Sequence, residues 1–556
     1  LHFQPETFGQ KFEDKRLLGV SSLNGQTNLF EKVSVNYNYN VVFNYQVFKS
    51  VLHDVKMMVG TEYQRFGNSS DNYFATNVTG PGNKIGFDAI KDSATLQNSH
   101  RVDATVIDAF NSYFGRFDYS YKKKYYAQVT LRTDGSSRFG PNKRYGFFPA
   151  ASLGWILSDE AFFHKYKMIS FLKLRSGIGY TGNANFASNK WYQAWSTSGS
   201  YNGTPILNTS YHKNPNLQWE NSRVWDISLE YGLYKGRISG EISFYNKKTS
   251  NVLTELSVPP STGFGTYYGN AGSILNQGFE FSIKSTNLVK GKFAWTTEFN
   301  AARNYNKVLD LGIYSQEAIS GGTNDTRVVK GAPVGTNYLV RYSHVDPQTG
   351  KPVYLDNNGN ETYTWNTDYR VNVGSVLPKA VGGLTNDFRY GNWNLNIFFV
   401  YKYGGNIYNS SQKRQDGVMN DIGGGYWNRT TESYDRWQKP GDNASLPRLS
   451  LVPETYGLSD AWNNNTTRWL YDGSYLRLRN LTLGYNLPKK WLGNKINSFR
   501  VAINGTNLLT FSHVVNIDPE IARDFENASD RNMSSNIVWL TAPQEKTFSI
   551  TLSTTF

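Results

Sequence analysis

Val33-Ser34-Val35-Asn36-Tyr37-Asn38-Tyr39-Asn40-Val41-Val42-Phe43-Asn44-Tyr45-Gln46-Val47 alternates apolar and polar side chains, and only Val42 breaks the polar row. Successive side chains of a strand point to opposite faces. The stretch therefore reads as one strand with an apolar face and a polar face. Ordinary strands run about five or six residues, whereas a tilted strand crossing a bilayer needs about 9–11. A soluble sandwich gives the same alternation with its apolar face inward; the length favours a membrane sheet with its apolar face outward.

The pattern recurs along the chain. Trp225, Ile227, Leu229, Tyr231 and Leu233 alternate with Asp226, Ser228, Glu230 and Gly232. Trp393, Leu395, Ile397, Phe399, Tyr401 and Tyr403 start against Asn392, Asn394 and Asn396. Phe279, Phe281 and Ile283 oppose Glu280, Ser282 and Lys284, and the chain ends on Phe548, Ile550, Leu552 and Phe556. Charges keep to the polar face except Lys546, at the start of its strand, where a lipid-facing Lys costs only about 0–1 kcal/mol. About fifteen strands are expected, at 30–48, 53–66, 107–121, 124–138, 144–157, 169–182, 219–234, 236–249, 274–287, 291–305, 376–390, 392–405, 475–487, 496–511 and 544–556.

The connections between these strands alternate short and long, with 139–143 the one short stretch where a long loop is due. The long ones are 67–106, 183–218, 250–273, 306–375, 406–474 and 512–543. Outer-membrane barrels have short periplasmic turns and long extracellular loops. The expected fold is thus all-β, a transmembrane antiparallel β-barrel of outer-membrane type. Val33, Tyr37, Val41, Trp225, Leu229, Leu395 and Ile397 should face lipid, and Asn36, Asn38, Asp226, Glu230 and Glu280 the lumen. With 512–543 outside, the last strand ends at Phe556 in the periplasm and Leu1 falls in an extracellular loop. Closure then requires strands upstream, with 30–48 and 544–556 each pairing with a segment outside this numbering.

Composition agrees. Of 556 residues 15% are aromatic, 50 are Gly and only 18 are Pro, which paired strands tolerate poorly. Cys is absent, so thiolate chemistry and Cys-bound metals are excluded. The longest apolar run, Ile397 to Tyr401, is far short of the roughly 20 residues of a helical span. The net charge of +14 reads as solvated Lys and Arg on loops and turns. Lys122-Lys123-Lys124 is the only pure basic run and lies at a turn between strands, so nucleic acid is not an expected partner.

Few motifs carry chemistry. Gly177-Ile178-Gly179-Tyr180-Thr181-Gly182 spells a dinucleotide fingerprint but no helix follows, so it reads as glycines at a strand-to-loop corner. Asp356-Asn357-Asn358-Gly359-Asn360-Glu361 has Gly too early for a calcium loop and reads as a hairpin turn. No cofactor, metal or catalytic residue is expected, and the chain is not read as an enzyme. The long loops hold Trp191, Tyr192, Trp195, Tyr267, Tyr268, Trp365, Trp427, Trp437, Trp462 and Trp469. Their rings suit stacking on sugars or binding peptides, or packing the loops on themselves; they are the candidate ligand contacts.

Several segments resemble one family, the SusC-like (SusC/RagA) TonB-dependent outer-membrane transporters of Bacteroidota. The most specific is Tyr125 to Trp155, around Asp134-Gly135-Ser136-Ser137-Arg138-Phe139-Gly140. Asn214-Pro215-Asn216-Leu217-Gln218-Trp219-Glu220, Asp346-Pro347-Gln348-Thr349-Gly350, Tyr475 to Pro488, Asn507 and Asp518-Pro519-Glu520 follow in the family's order. The resemblance covers about Tyr113 to Phe556. It departs at Thr541-Ala542-Pro543, where the family often has Tyr-Pro. It implies a 22-stranded barrel in the cell outer membrane, of which residues 1–556 would be the C-terminal part, with plug and first strands outside this numbering. It implies TonB-energised import of oligosaccharide or peptide nutrients, with a TonB complex engaging a segment upstream of Leu1. A SusD-like surface lipoprotein would close over the long loops, so the ten loop aromatics are candidate lid contacts as well. Phe556 would be the terminal aromatic read by the barrel-assembly machinery. The alternatives are a passive outer-membrane pore and a surface-binding barrel that transports nothing.

Overall fold

The computed structural model describes residues 2–21, 26–76, 99–193, 195–209, 211–258, 261, 266–312, 326–416, 430–448, 465–493, 495–514, 516–520, 537–538 and 541–556. Seventeen strands form one sheet. They are β1 (His2–Ser21), β2 (Gln26–Lys49), β3 (His53–Thr76), β4 (Ser99–Tyr121), β5 (Tyr125–Ser136), β6 (Tyr145–Phe147), β7 (Ala150–Ile156), β8 (Ile169–Asn183), β9 (Glu220–Leu233), β10 (Ile238–Ser250), β11 (Ser273–Lys290), β12 (Phe293–Asp310), β13 (Ala380–Tyr390), β14 (Trp393–Tyr403), β15 (Tyr475–Asn486), β16 (Ser498–Ser512) and β17 (Thr547–Thr555). The registered pairs are antiparallel and join strands in chain order. All fifteen expected strands are present. Among the described residues no helix is long and apolar enough to cross a membrane.

The alternation becomes rows across strands. Trp295, Phe388, Leu395, Leu483, Ile503 and Ile550 are successive partners through six strands. One residue away on the other face run Thr296, Asp387, Asn396, Thr482, Asn504 and Ser549. The polar row is knitted by side chains: Asn396 donates to Asp387 at 2.7 Å, and Thr482 to Asn504 at 2.9 Å. The apolar row is open: Leu483, Ile503 and Ile550 are 42%, 53% and 72% exposed. A soluble sandwich would bury that face. Left open, it is a lipid face.

Two compact units divide the chain. The first holds residues 1–155, 176–225 and 249–271, the second 156–175, 226–248 and 272–556. In the first, Tyr45, Met57, Phe117, Val129 and Ala151 make an apolar row, while Asn40, Glu62, Ser112 and Asp134 make a polar one. Tyr121, Tyr125 and Trp155 stack at its short-turn end, as an interfacial aromatic girdle requires. Lys122 and Lys123 have φ of 51° and 54° and turn the chain between β4 and β5, as expected.

One expectation is corrected. The 30–48 strand does not look outside the numbering for its neighbour. It pairs with β1, Glu13 opposite Val33 and Phe3 opposite Phe43. The sequence of β1 does not alternate and carries Pro5, so periodicity is silent there; the ladder to β2 organises it instead. The glycine fingerprint 177–182 closes β8, which ends at Asn183, with the loop following, as expected. A β-carbon on Gly182 would collide with the Phe148 and Trp219 rings, so glycine is needed for close packing. The hairpin at 356–361 is as expected: Leu355 pairs with Glu361, and Gly359 turns with φ of 89°. Leu1 lies outside the described residues.

Candidate functional site

The long-loop ends of the strands carry the organised features. In the first unit they are clasped by the Asp134–Gly140 segment, which leaves β5. Ser137 receives the Ala109 amide at its hydroxyl (2.9 Å) and the Trp191 indole N–H at its carbonyl (3.0 Å). Arg138 donates to buried Asp108 at 2.9 Å and to the Ala184 carbonyl at 3.0 Å, and Ser188 also donates to Asp108, at 2.6 Å. Phe139 is fully buried, 4.6 Å from the Trp219 ring and 5.3 Å from Phe186. Asp134 receives Arg132, Gly135 lies under Tyr145, and Ser136 is buried.

The partner of this segment is the Asn214–Glu220 stretch. The Gly140 amide donates to Leu217 at 2.9 Å and the Asn142 amide to Pro215 at 3.2 Å. The Trp219 indole donates to the Arg144 carbonyl at 2.8 Å, and the Asn214 side chain to the Tyr268 carbonyl at 2.9 Å. Two sequence motifs about 75 residues apart thus form one interlocked clasp. Every residue of Asp134–Gly140 is committed to packing, and what the clasp positions is the loop that follows β8.

The loop aromatics separate by environment. Tyr192 and Trp195 are 59% and 62% exposed. Trp191 is half-buried on Ser137, with Arg144 over its ring. Tyr267 and Tyr268 lie in the strand Thr266–Asn270; the Tyr268 hydroxyl donates to Glu255, and Lys190 covers its ring at 4.5 Å. Burial raises the pKa of the Tyr267 hydroxyl.

In the second unit the long loops fold on themselves. Leu339, Tyr408, Leu446, Trp469 and Ile537 form a buried core drawn from three loops. Trp469 is therefore a core residue. Trp437 donates to the Pro347 carbonyl at 2.7 Å and its ring covers Gly350. Trp365 donates to the Asn465 carbonyl at 3.4 Å under the Arg370 guanidinium. Trp427 and Trp462 lie outside the described residues. Beside this core, buried Lys413 donates to Asn465 at 2.7 Å, and Gln412 links Glu432 (2.6 Å) to the Tyr471 hydroxyl (2.8 Å). Burial pushes the Tyr342 hydroxyl up to about 12.

The carboxylates Asp518 and Glu520 acquire partners that sequence reading did not assign. Arg477, almost wholly buried, is paired to Asp518 and lies 3.0 Å from Glu520. Arg479 is paired to Glu520 and donates to Asn507 at 2.9 Å. Asn507, with φ of 54°, donates to the Glu545 carbonyl at 3.1 Å, and the Gln544 amide donates to Asp518 at 3.1 Å. The available signal was two Arg of one parity in Tyr475–Pro488 and an acidic pair in the long connection after β16. A cavity of 520 Å³ opens nearby, lined by Arg303, Tyr305, Lys379, Asn406 and Asp472 among others. That is the size of ordinary ligand sites, about 300–1,000 Å³. The Ser474 hydroxyl holds the Asp472 carboxyl below its ordinary range, so the cavity keeps both signs of charge. Among the described residues no cluster of potential metal ligands occurs.

The family model described as TonB dependent receptor-like, beta-barrel, matches residues 7–508. The chain is similar to the TonB-dependent receptor P3 of Formosa agariphila, at 28% identity over 98% of this chain and 55% of that protein. It is similar to the TonB-dependent receptor SusC of Bacteroides thetaiotaomicron, at 28% identity over 87% of this chain and 48% of that protein. Its fold is similar to that of the RagAB peptide transporter, with a TM-score of 0.79 and 21% identity over 95% of this chain and 56% of the solved chain. The chain spans about half the length of the curated relatives it matches.

Proposed function

From its place in the TonB-dependent receptor-like β-barrel family, to which this chain belongs, we propose that it is the barrel portion of an active outer-membrane importer. The chain is a transmembrane antiparallel β-barrel of the outer membrane, in the SusC-like branch. The cargo is an oligosaccharide or a peptide, delivered by a SusD-like surface lipoprotein and drawn inward by the TonB complex. The rest of the protein, beyond the half that this chain matches, supplies plug and TonB-binding segment. Membership of this family makes the chain a transporter component rather than an enzyme.

The observation that carries the reading is the loop layer of the second unit. Three loops share one core around Leu339, Tyr408 and Trp469. A rigid, packed loop surface suits docking a partner, since loops on a fixed scaffold tend to carry function. The exposed rings of Tyr192 and Trp195 and the polar cavity beside Arg303 and Asp472 are the proposed cargo or lid contacts. Trp469, Trp437, Trp365 and Trp191 hold the loops in shape.

Uptake of defined glycans and peptides by cells carrying the intact protein, with and without a working TonB complex, tests the proposal. Uptake should vanish without TonB. Uptake that continues unchanged points to a passive pore, and no uptake of either class in any strain points to a surface-binding barrel.

A further inference from the structure

The chain's positive charge is not spread evenly. In the second unit the long connections 306–375, 406–474 and 512–543 hold 20 acidic against 15 basic residues. Its short turns are the reverse. Lys165, Lys167, Lys235, Lys290, Lys292 and Lys490 all sit on them, all exposed. The carboxylates of these turns are Asp159 and Glu160, both on the turn before β8.

These turns are fastened to one another in a row. The Tyr234 amide donates to Met168 at 2.8 Å, Thr286 to Arg237 at 2.8 Å, Gly391 to Lys292 at 3.0 Å and Asn486 to Asn392 at 2.9 Å. The lysines therefore form one band along one end of the sheet. A second feature lies level with it. Tyr166, Tyr234, Tyr390, Trp393 and Trp491 are exposed at the same strand ends, Tyr390 at 64% and Trp491 at 63%. Tyr and Trp collect where acyl chains meet headgroups. This collar places the lysines just beyond the hydrocarbon, at the depth of the lipid phosphates.

We propose that the lysine band on the short turns of the second unit binds anionic phospholipid headgroups of the inner leaflet of the outer membrane. Short turns of such barrels face the periplasm, so that leaflet is the one they meet. A Lys near an anionic surface contributes attraction that decays within a Debye length. The band is positive and the opposite end carries more acidic than basic residues, so the preference orients the barrel as well as retaining lipid. Among the described residues Lys235, Lys290, Lys292 and Lys490 pair with no carboxylate, which leaves their charge for phosphate. The inference rests on the strand and turn geometry, not on what the protein imports.

The test is the intact protein in vesicles of mixed phosphatidylglycerol and phosphatidylethanolamine, followed by native mass spectrometry of retained lipid. Phosphatidylglycerol should be enriched over its bulk share, and each lysine removed should cut the preference about fivefold. Lys235→Gln, Lys290→Gln, Lys292→Gln and Lys490→Gln combined should abolish it, while the four Lys→Arg changes keep it. If the Gln variant fails to fold, the wild type still decides: its enrichment must fall as salt rises. Retained lipid at bulk composition, or enrichment indifferent to salt, overturns the proposal. So does cross-linking of these lysines in cells to an acidic protein with no lipid enrichment.

Discussion

Gly140 packs backbone on backbone against Pro215: a β-carbon on Gly140 would fall inside the Pro215 carbonyl group. The Gly140 amide bonds to Leu217 and the Asn142 amide to Pro215 in the same contact. Two turns meet here backbone to backbone, and there is no flexible side chain to move aside.

Gly140→Ala should therefore cost at least the roughly 1–3 kcal/mol of an overpacked site, because a backbone must shift. Gly67→Ala is the control; the nearest atom to its β-carbon would be a carbonyl at 3.6 Å. Denaturant unfolding of both variants in detergent checks this. Equal stability for the two would mean that the clasp gives way freely.

The clasp also shows what sequence conveys and what it omits. Asp134–Gly140 and Asn214–Glu220 each stand out in the chain, but nothing in either says that they touch. Strand positions were legible because lipid on one side and polar groups on the other impose a strict period of two. The period fails where that constraint ends. β3 and β4 continue through 67–76 and 99–106, paired residue by residue, across Asn68-Ser69-Ser70-Asp71-Asn72 with no apolar row. β1 was missed for the same reason. Among the aromatics, composition could not tell exposed Trp195 from Trp469 in the loop core; that difference arises only when three loops meet.

The Arg477–Asp518 pair gives a second test. Removing one partner of a buried ion pair leaves the other charge uncompensated and costs about 3–5 kcal/mol. Arg477→Ala should destabilise by that order. Arg477→Met combined with Asp518→Asn should recover much of it, since neither charge then remains. A double-mutant cycle from urea unfolding reads the coupling. Additive losses would show that the pair does not act as a unit.

Asp346 supplies a pH dependence. Its carboxylate accepts from the Thr349 hydroxyl (2.6 Å), the Tyr363 hydroxyl (2.7 Å) and the Gln348 amide (2.8 Å), which hold its pKa down at about 2. The folded value lies below the ordinary one of 3.8. The contribution is thus fully present above pH 3.8 and is lost as pH falls through about 2. Hydrogen exchange at the Gln348 amide should be faster in Asp346→Asn than in the wild type at pH 6, and the gap should narrow as pH falls through about 2. A gap that does not narrow between pH 6 and pH 2 would remove the carboxylate from the account.

The last prediction concerns Ile503 and Asn504, neighbours in β16 on opposite faces. Ile503 sits mid-row between Leu483 and Ile550 on the open apolar face. Asn504 accepts from Thr482 at 2.9 Å and donates to Thr551 at 3.0 Å on the polar face. In a membrane barrel an Arg on the lipid side near the midplane costs about 2–4 kcal/mol. On the lumen side it meets polar groups and water. Ile503→Arg should therefore slow or prevent folding into vesicles and cost about that much, whereas Asn504→Arg loses only the roughly 0.5–1.5 kcal/mol of each hydrogen bond. A soluble sandwich predicts a different pattern, because its apolar face would be a dry core where Arg is far worse still and its polar face would tolerate anything. The discriminating measurement is the same pair of variants in thick and thin bilayers. The penalty at Ile503 should shrink as the bilayer thins and the guanidinium reaches the headgroups, and the penalty at Asn504 should not change. A lipid-independent cost at Ile503 would put that face against protein.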